Sequence, residues 1–313
     1  MKPIVSICCM TYNHVNFIKD CIEGFIKQKT DFDYEILIHD DASTDDNAKI
    51  IHNYEIKYPE LIKVVYQKEN QFLKQNALFN ILFPMARGKY ITICEGDDYW
   101  TDPNKLQKQV AFLERNKSCN YVFTNNSILT SNGELKTDDK NLDDVFDLNY
   151  LLDKRIMPTT LTLMFKKKSI INKTNWRSLM SKTFNGDWVL LFMLNQNSKI
   201  GFIKDNTGVY RQGIGIVSNT NLIYKMKNGI ETNKKLNKMT NFKYNKYLND
   251  NRFNYSQISY HYAREKKIIR FLIWFVKIQF HLIKFHGFSL IFRDWNKRFI
   301  KNNINIFLNR TKK

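Results

Sequence analysis

Two adjacent pairs of carboxylates are the residues of this chain best suited to chemistry. Asp97 and Asp98 lie just past the apolar run Tyr90–Cys94, with Glu95 and Gly96 between. Burying unpaired carboxylates costs free energy. A hard divalent cation offsets that cost, because Mg2+ or Mn2+ takes one or two carboxylates and completes its shell with water and phosphate oxygens. A solvated turn after a strand is the plainer reading of the same residues. Asp40 and Asp41 follow a second apolar run, Tyr34–His39. Acids placed there can accept hydrogen bonds from a ribose or a base, or they can cap the next helix. Ser43 and Asp46 have capping-box spacing, which would leave the aspartate pair free. Asp187 opens the apolar stretch Trp188–Leu194. It reads as an acid favoured by a helix dipole, with a general base as the functional alternative.

Other chemistries lack their residues. The chain has no GxGxxG or GxxxxGK phosphate loop, so a metal would be the main counter-charge for a diphosphate. It has no GxSxG elbow, and its six histidines (His14, His39, His52, His261, His281, His286) form no compact ligand pattern. Ordinary hydrogen-bonded roles are expected for all six.

These acids need elements to position them. Ile4–Met10 reads as a buried strand and Asn16–Lys27 as a helix. Tyr34–His39 is a strand, followed by a helix from Ser43 to about Tyr58 and a strand over Ile62–Tyr66. Gln75–Ala86 is expected to be helical and stopped by Gly88; Tyr90–Cys94 is a strand, Asn104–Arg115 a helix, Tyr121–Asn125 a strand. Pro158–Phe165 reads as a further strand. Alternation of this kind predicts an α/β fold with a mostly parallel sheet flanked by helices. Ligands bind at the carboxyl ends of such strands, where both aspartate pairs fall. Five cysteines with no CxxC, mostly in apolar runs, point to buried thiols in a reducing compartment. The first residues show no signal-peptide pattern.

Charge divides the chain. Of 49 Lys+Arg and 30 Asp+Glu, the stretch from Lys234 onward holds 19 and 3 respectively, a net +16, which leaves +3 for residues 1–233. Within the basic part, Arg270, Lys277, His281 and Lys284 are spaced to form one polar stripe on the otherwise apolar stretch Ile268–Phe292. Arg293, Lys297, Arg298 and Lys301 continue the charge. A helix lying on an anionic membrane surface is the leading reading; packing on protein, an oligomer contact and a true span are the others. Positive charge also suits nucleic acid, but no nucleic-acid motif is present, and no nucleic-acid partner is expected.

Three blocks in order, Val5–Asn13 (VSICCMTYN), Glu35–Asp45 (EILIHDDASTD) and Gly88–Trp100 (GKYITICEGDDYW), resemble glycosyltransferase family 2. The continuation Thr101–Gln109 resembles a bacterial branch of that family, and the resemblance runs from about residue 3 to about residue 218. It implies a GT-A fold over residues 1–218 with a basic helical region over 219–313, and inverting transfer from a nucleotide sugar, expected to be a UDP-sugar. Carried over by position, Asp40 and Asp41 would meet the donor's base and ribose, Met10, Thr11 and Tyr12 would line the nucleotide pocket, and Asp97 and Asp98 would form the metal motif for Mn2+ or Mg2+. Glu95 stands where the family pattern has a first Asp; it could bond the sugar or a metal-bound water. Asp187, in Gly-Asp-Trp before an apolar helix, matches the catalytic base. Arg211 is a candidate contact to the diphosphate or acceptor, with a surface ion pair as the alternative. The implied acceptor is a glycan or lipid-linked hydroxyl in bacterial surface-polysaccharide or lipopolysaccharide synthesis, at the cytoplasmic face of the membrane. A nucleotidyltransferase, or a non-catalytic glycan- or nucleic-acid-binding protein on a degenerate nucleotide fold, are the alternatives.

Overall fold

The computed structural model describes residues 2–72, 76–170, 174–180, 183, 185–195, 197–214, 221–249, 252–265 and 267–286. These divide into two compact units, 1–182 with 186–219, and 183–185 with 220–313.

In the first unit the chain begins β1 (Val5–Thr11), α1 (Ile18–Ile26), β2 (Tyr34–Asp40), α2 (Asn47–Lys57), β3 (Ile62–Tyr66). Ile18, Cys21, Ile22 and Phe25 sit at helical spacing and are fully buried. That face holds α1 on the sheet, and Ile18, Ile22 and Phe25 each contribute about 1.5–3 kcal/mol by burial. A π-turn, Leu78–Leu82, runs into the three-residue α3 (Phe83–Met85) where a plain α-helix was expected. Pro84 accounts for the difference. It has no N–H for the fourth carbonyl back, and its ring crowds that carbonyl, so the ladder widens to Phe83 N–H on Leu78 O. Gln75 lies outside the described residues.

β4 (Tyr90–Ile93) and β5 (Tyr99–Trp100) follow, then α4 (Lys105–Arg115), β6 (Cys119–Leu129), β7 (Leu135–Asp138), β8 (Val145–Phe146) and α5 (Leu148–Lys154). Pro158–Phe165 is not one strand. Thr160–Thr162 forms a 3-10 turn, and only Met164–Lys166 pairs, as β9. Side-chain bonds compete with the ladder here: Thr162 Oγ1 donates to Thr159 O at 2.7 Å, and Thr160 Oγ1 reaches across to Glu95. The unit closes with α6 (Thr174–Met180), α7 (Gly186–Asn195) and β10 (Lys199–Arg211).

The sheet runs β3-β2-β1-β4-β9-β6-β10-β5, with β7 on β6 and β8 on β10. The β3-β2-β1-β4 half is parallel, as the alternating pattern predicts. Beyond it β9 runs antiparallel between β4 and β6, β6 and β10 are parallel, and β5 returns antiparallel. All five cysteines are free and buried.

The second unit is helical: α8 (Leu222–Met239), α9 (Asn245–Leu248), α10 (Arg252–Arg264) and α11 (Ile268–His286). Its core is Ile230, Ile258, Tyr262 and Phe271. Asn221 caps α8, its side chain accepting from the N–H groups of Ile223 and Tyr224. Among the described residues no helix is long and apolar enough to cross a membrane.

Gly88 is not a left-handed helix stop. Its φ is not among the positive values of this chain, and it is there because a Cβ would stand 2.6 Å from Ser6 N and 2.8 Å from Val5 C. Those atoms are backbone of the central strand and cannot swing away. Gly88→Ala is expected to lower stability by ~1–3 kcal/mol, read from the midpoint of urea unfolding.

Candidate active site

β1 is the spine of the site. It pairs with β2 along its whole length, Thr11 opposite Asp40, while its first residues, Val5–Cys8, pair with β4. Past the ladders two backbone bonds extend the same geometry: Asp41 N–H donates to Thr11 O at 3.0 Å, and Gly96 N–H to Met10 O at 2.8 Å. The two acidic segments, more than fifty residues apart in sequence, are thereby tied to one strand end. Gly96 makes the approach possible, since a Cβ there would lie 2.6 Å from Thr11 Oγ1 and 3.0 Å from His14 Nδ1.

Asp40 is spent on its own loop. Its carboxylate accepts from Ser43 N–H at 3.0 Å, Ser43 Oγ at 2.7 Å and Asn47 Nδ2 at 2.7 Å. The expected Ser43–Asp46 capping box is absent: α2 starts after Asp46 with no side-chain cap, because Ser43 Oγ donates to Asp40 and accepts from Asn13 N–H. Asn47 is fully buried and also takes a bond from Thr11 Oγ1. Asn13 Oδ1 in turn accepts from Thr44 N–H, and Asp45 from Val15 N–H. The loops after β1 and β2 are thus zipped together. Asn13 and Ala42 hold φ of 56° and 60°, a conformation Asn tolerates and Ala adopts only under constraint. Asp41 accepts from Gln71 N–H at 2.7 Å. Met10 and Tyr12 are half-buried at the strand end, and Thr11 is buried.

The second acidic loop is more crowded. Asp97 and Asp98 are 7 % and 2 % exposed. Asp98 Oδ1 accepts from Arg211 N–H at 2.8 Å, and Glu95 Oε2 accepts from Thr160 Oγ1 at 2.5 Å. Burial, and then the charges of Asp97 and Glu95, push the Asp98 carboxyl up to about 9. Burial chiefly raises Glu95 to about 7, against the Thr160 bond and with the help of Asp97 and Asp187. Asp187 enters at the first turn of α7, where its carboxylate accepts from Trp188 N–H at 2.7 Å. The side chain is exposed, and the protein packed around it raises its carboxyl. The charge of Asp187 reaches both Glu95 and Tyr210, so the base candidate and the acidic loop share one electrostatic environment.

Arg211 is neither a surface ion pair nor an open cation. It is 7 % exposed, donates from Nη1 to Asp97 O at 2.8 Å and from Nη2 to Asp20 at 2.6 Å, and lies over the rings of Tyr99 and Phe17. These bonds use its fork to hold the acidic loop in shape. His14 also departs from expectation. It is buried, its Nε2 is 4.0 Å from Asp97 Oδ2, and its Nδ1 has no partner among the described residues. His39 Nε2 likewise has none. Burial lowers both imidazoles, which keeps them neutral. His14, Thr160, Asn47 and Asp20 join the site through long-range contacts that spacing along the chain does not signal.

The donor set fits Mg2+ or Mn2+. Among the described residues no three acidic, His or Cys side chains converge into a closed cage. One or two carboxylates beside an open face is the mode these ions use when phosphate completes the shell. Burial first, and then the charges of Asp97 and Glu95, make the ionised form of Asp98 costly without a counter-charge.

The sheet order and its flanking helices are those of a GT-A fold. The fold is shared by the mannosyltransferase PcManGT of Pyrobaculum calidifontis, solved in complex with GDP-Man and Mn2+ (TM-score 0.54, 13 % identity, 100 % of this chain and 87 % of that one). It is shared too by S. aureus TarS 1–349, solved in complex with UDP-GlcNAc (TM-score 0.59, 15 % identity, 97 % and 80 %). Residues 6–185 match the model of glycosyl transferase family 2, and the chain belongs to that family. An uncharacterised Mycobacterium tuberculosis protein, Rv1520, is 30 % identical over 210 residues, 66 % of this chain and 58 % of the relative. The chain therefore spans less than two thirds of that relative's length.

Without metal, Asp98 binds its proton more tightly folded than unfolded. Its contribution to stability is then full below its ordinary value of 3.8 and is lost as pH rises toward about 9. In chelator the melting temperature of the protein is expected to fall across that window, and Asp98→Asn should flatten the slope; an unchanged slope would remove Asp98 as its source.

Proposed function

We propose that this protein is an inverting glycosyltransferase that moves a sugar from a nucleotide-sugar donor to a hydroxyl acceptor. The observation that carries the reading is the acidic loop Glu95–Asp98 beyond β4, tied to the end of β1 through Gly96, with Asp187 near enough that its charge helps raise Glu95. A sugar hydroxyl is a weak nucleophile near neutral pH. Asp187 takes its proton as the oxygen bonds to the anomeric carbon, and the carbon–oxygen bond to the diphosphate breaks with its electron pair leaving on phosphate. Burial raises its carboxyl above the ordinary aspartate range, which makes it a stronger base than a free aspartate. Base and diphosphate on opposite faces of the sugar give inversion.

Asp97 is the proposed metal contact, with Asp98 behind it, since one oxygen of Asp98 already accepts from Arg211. A bound Mn2+ or Mg2+ would supply charge for the leaving diphosphate. Asp41, Met10, Thr11 and Tyr12 floor the nucleoside, and Asp40 acts by fixing their loop. Glu95 and Thr160 face the sugar. Arg211 contributes by holding Asp97 rather than by reaching into solvent. The nucleotide sugars bound in the two structural neighbours support this donor class, with a UDP-sugar the first to test and a GDP-sugar the second. A glycan or lipid-linked acceptor of a bacterial surface polysaccharide, met at the cytoplasmic face of the membrane, completes the proposal.

Incubation with a panel of nucleotide sugars and Mn2+ tests it. A nucleoside diphosphate should be released by the wild type. Asp187→Asn should keep donor binding and lose ~10²–10⁴-fold in turnover. Release of pyrophosphate would indicate nucleotidyl transfer instead, and neither binding nor release of any donor would leave only a non-catalytic binding role.

A further inference from the structure

Helix α11 carries two apolar faces. One is packed: Phe271 and Ile278 are 7 % and 0 % exposed, and Phe271 belongs to the core with Ile230, Ile258 and Tyr262, with Trp274 and Phe275 against it. The other is bare: Ile269, Leu272, Ile273, Val276 and Phe280 are 76 %, 50 %, 50 %, 48 % and 70 % exposed. At ~100° per residue these five fall within about a third of the helix circumference, opposite the packed side. Isolated exposed apolar residues are ordinary, but a contiguous stripe of this size marks a contact surface.

The flank between the two faces is cationic. Arg270 and Lys277 are both exposed; Arg270 lies 5.7 Å over the ring of Tyr262 and Lys277 4.2 Å over that of Trp274. Lys227, from α8, lies 5.9 Å from the same Trp274 ring. The chain from Lys234 onward carries a net +16. Apolar side chains on one face, with cations and an indole along its edge, match the cross-section of a bilayer interface: acyl boundary below, anionic headgroups beside.

We infer that the Ile269–Leu272–Ile273–Val276–Phe280 face of α11 docks on an anionic lipid bilayer, lying in its surface rather than crossing it. Charge selects this occupant over a second copy of the chain, because two such helices would bring like charge together. The stripe of basic residues marks only the edge of the docking surface; the apolar residues make the contact. The inference stands apart from the catalytic reading, since docking is measured with no donor present and can fail while turnover survives, or the reverse.

The test is co-sedimentation of the full chain with vesicles of phosphatidylglycerol and phosphatidylcholine in equal parts, and with phosphatidylcholine alone. Binding should favour the anionic vesicles and weaken with added salt. Ile273→Glu with Phe280→Glu should cut partitioning by about tenfold or more at unchanged helicity. Ile56→Glu, at a residue 65 % exposed on α2, should leave it unchanged. Arg270→Gln with Lys277→Gln should reduce only the anionic preference. Equal partitioning of the Ile273/Phe280 variant and the wild type would overturn the inference. So would a self-associated chain that these substitutions dissociate and that never binds vesicles.

Discussion

Desolvation of carboxylates crowded into one loop, with their mutual repulsion behind it, is the constraint on which the rest of the candidate site depends. Glu95, Asp97 and Asp98 occupy four consecutive positions with Gly96, and both aspartates are nearly inaccessible. Three carboxylates so placed cannot all ionise without counter-charge. The protein supplies part of it through Arg211, whose backbone N–H bonds Asp98 and whose guanidinium bonds Asp97 O. Burial and the neighbouring carboxylates raise Asp98 to about 9 and Glu95 to about 7, so both hold their protons to higher pH than free carboxyls do.

Much of the surrounding structure serves to keep that loop from relaxing. Met10 O anchors Gly96 from below, and the lack of a Cβ at Gly96 lets the loop press on Thr11. Asp20 fixes the far end of the Arg211 fork, and Tyr99 and Phe17 enclose its plane. On the neighbouring strand end, Asp40, Ser43 and Asn47 consume one another's hydrogen bonds, which sets Asp41 and the left-handed Ala42 in place.

The parallel half of the sheet was legible because its strands are short apolar runs and each is followed by an amphipathic helix. The position of both aspartate pairs at strand ends was legible because each closely follows a short apolar run. Partnerships over long sequence separations were not. Arg211 reads locally as an available cation, and only the fold brings it to Asp20 and Asp97. Thr160 reads as strand, yet its hydroxyl is committed to Glu95. His14 has no local ligand pattern, and its burial beside Asp97 follows from the turn at Asn13. Pro84 was visible, but its effect, a π-turn rather than a broken helix, depends on packing. In the basic tail the cationic stripe was readable from spacing; which apolar residues it separates from the core was not, because that required the contacts of Phe271 and Ile278.

Binding of Mn2+ in the presence of UDP or GDP, followed by electron paramagnetic resonance on the wild type and Asp97→Asn, tests the central claim most directly. The account predicts one bound ion that appears with the nucleotide and is lost or strongly weakened in the variant, whose fold is unchanged. Equal Mn2+ binding by the two proteins, or none by the wild type with either nucleotide, would contradict it.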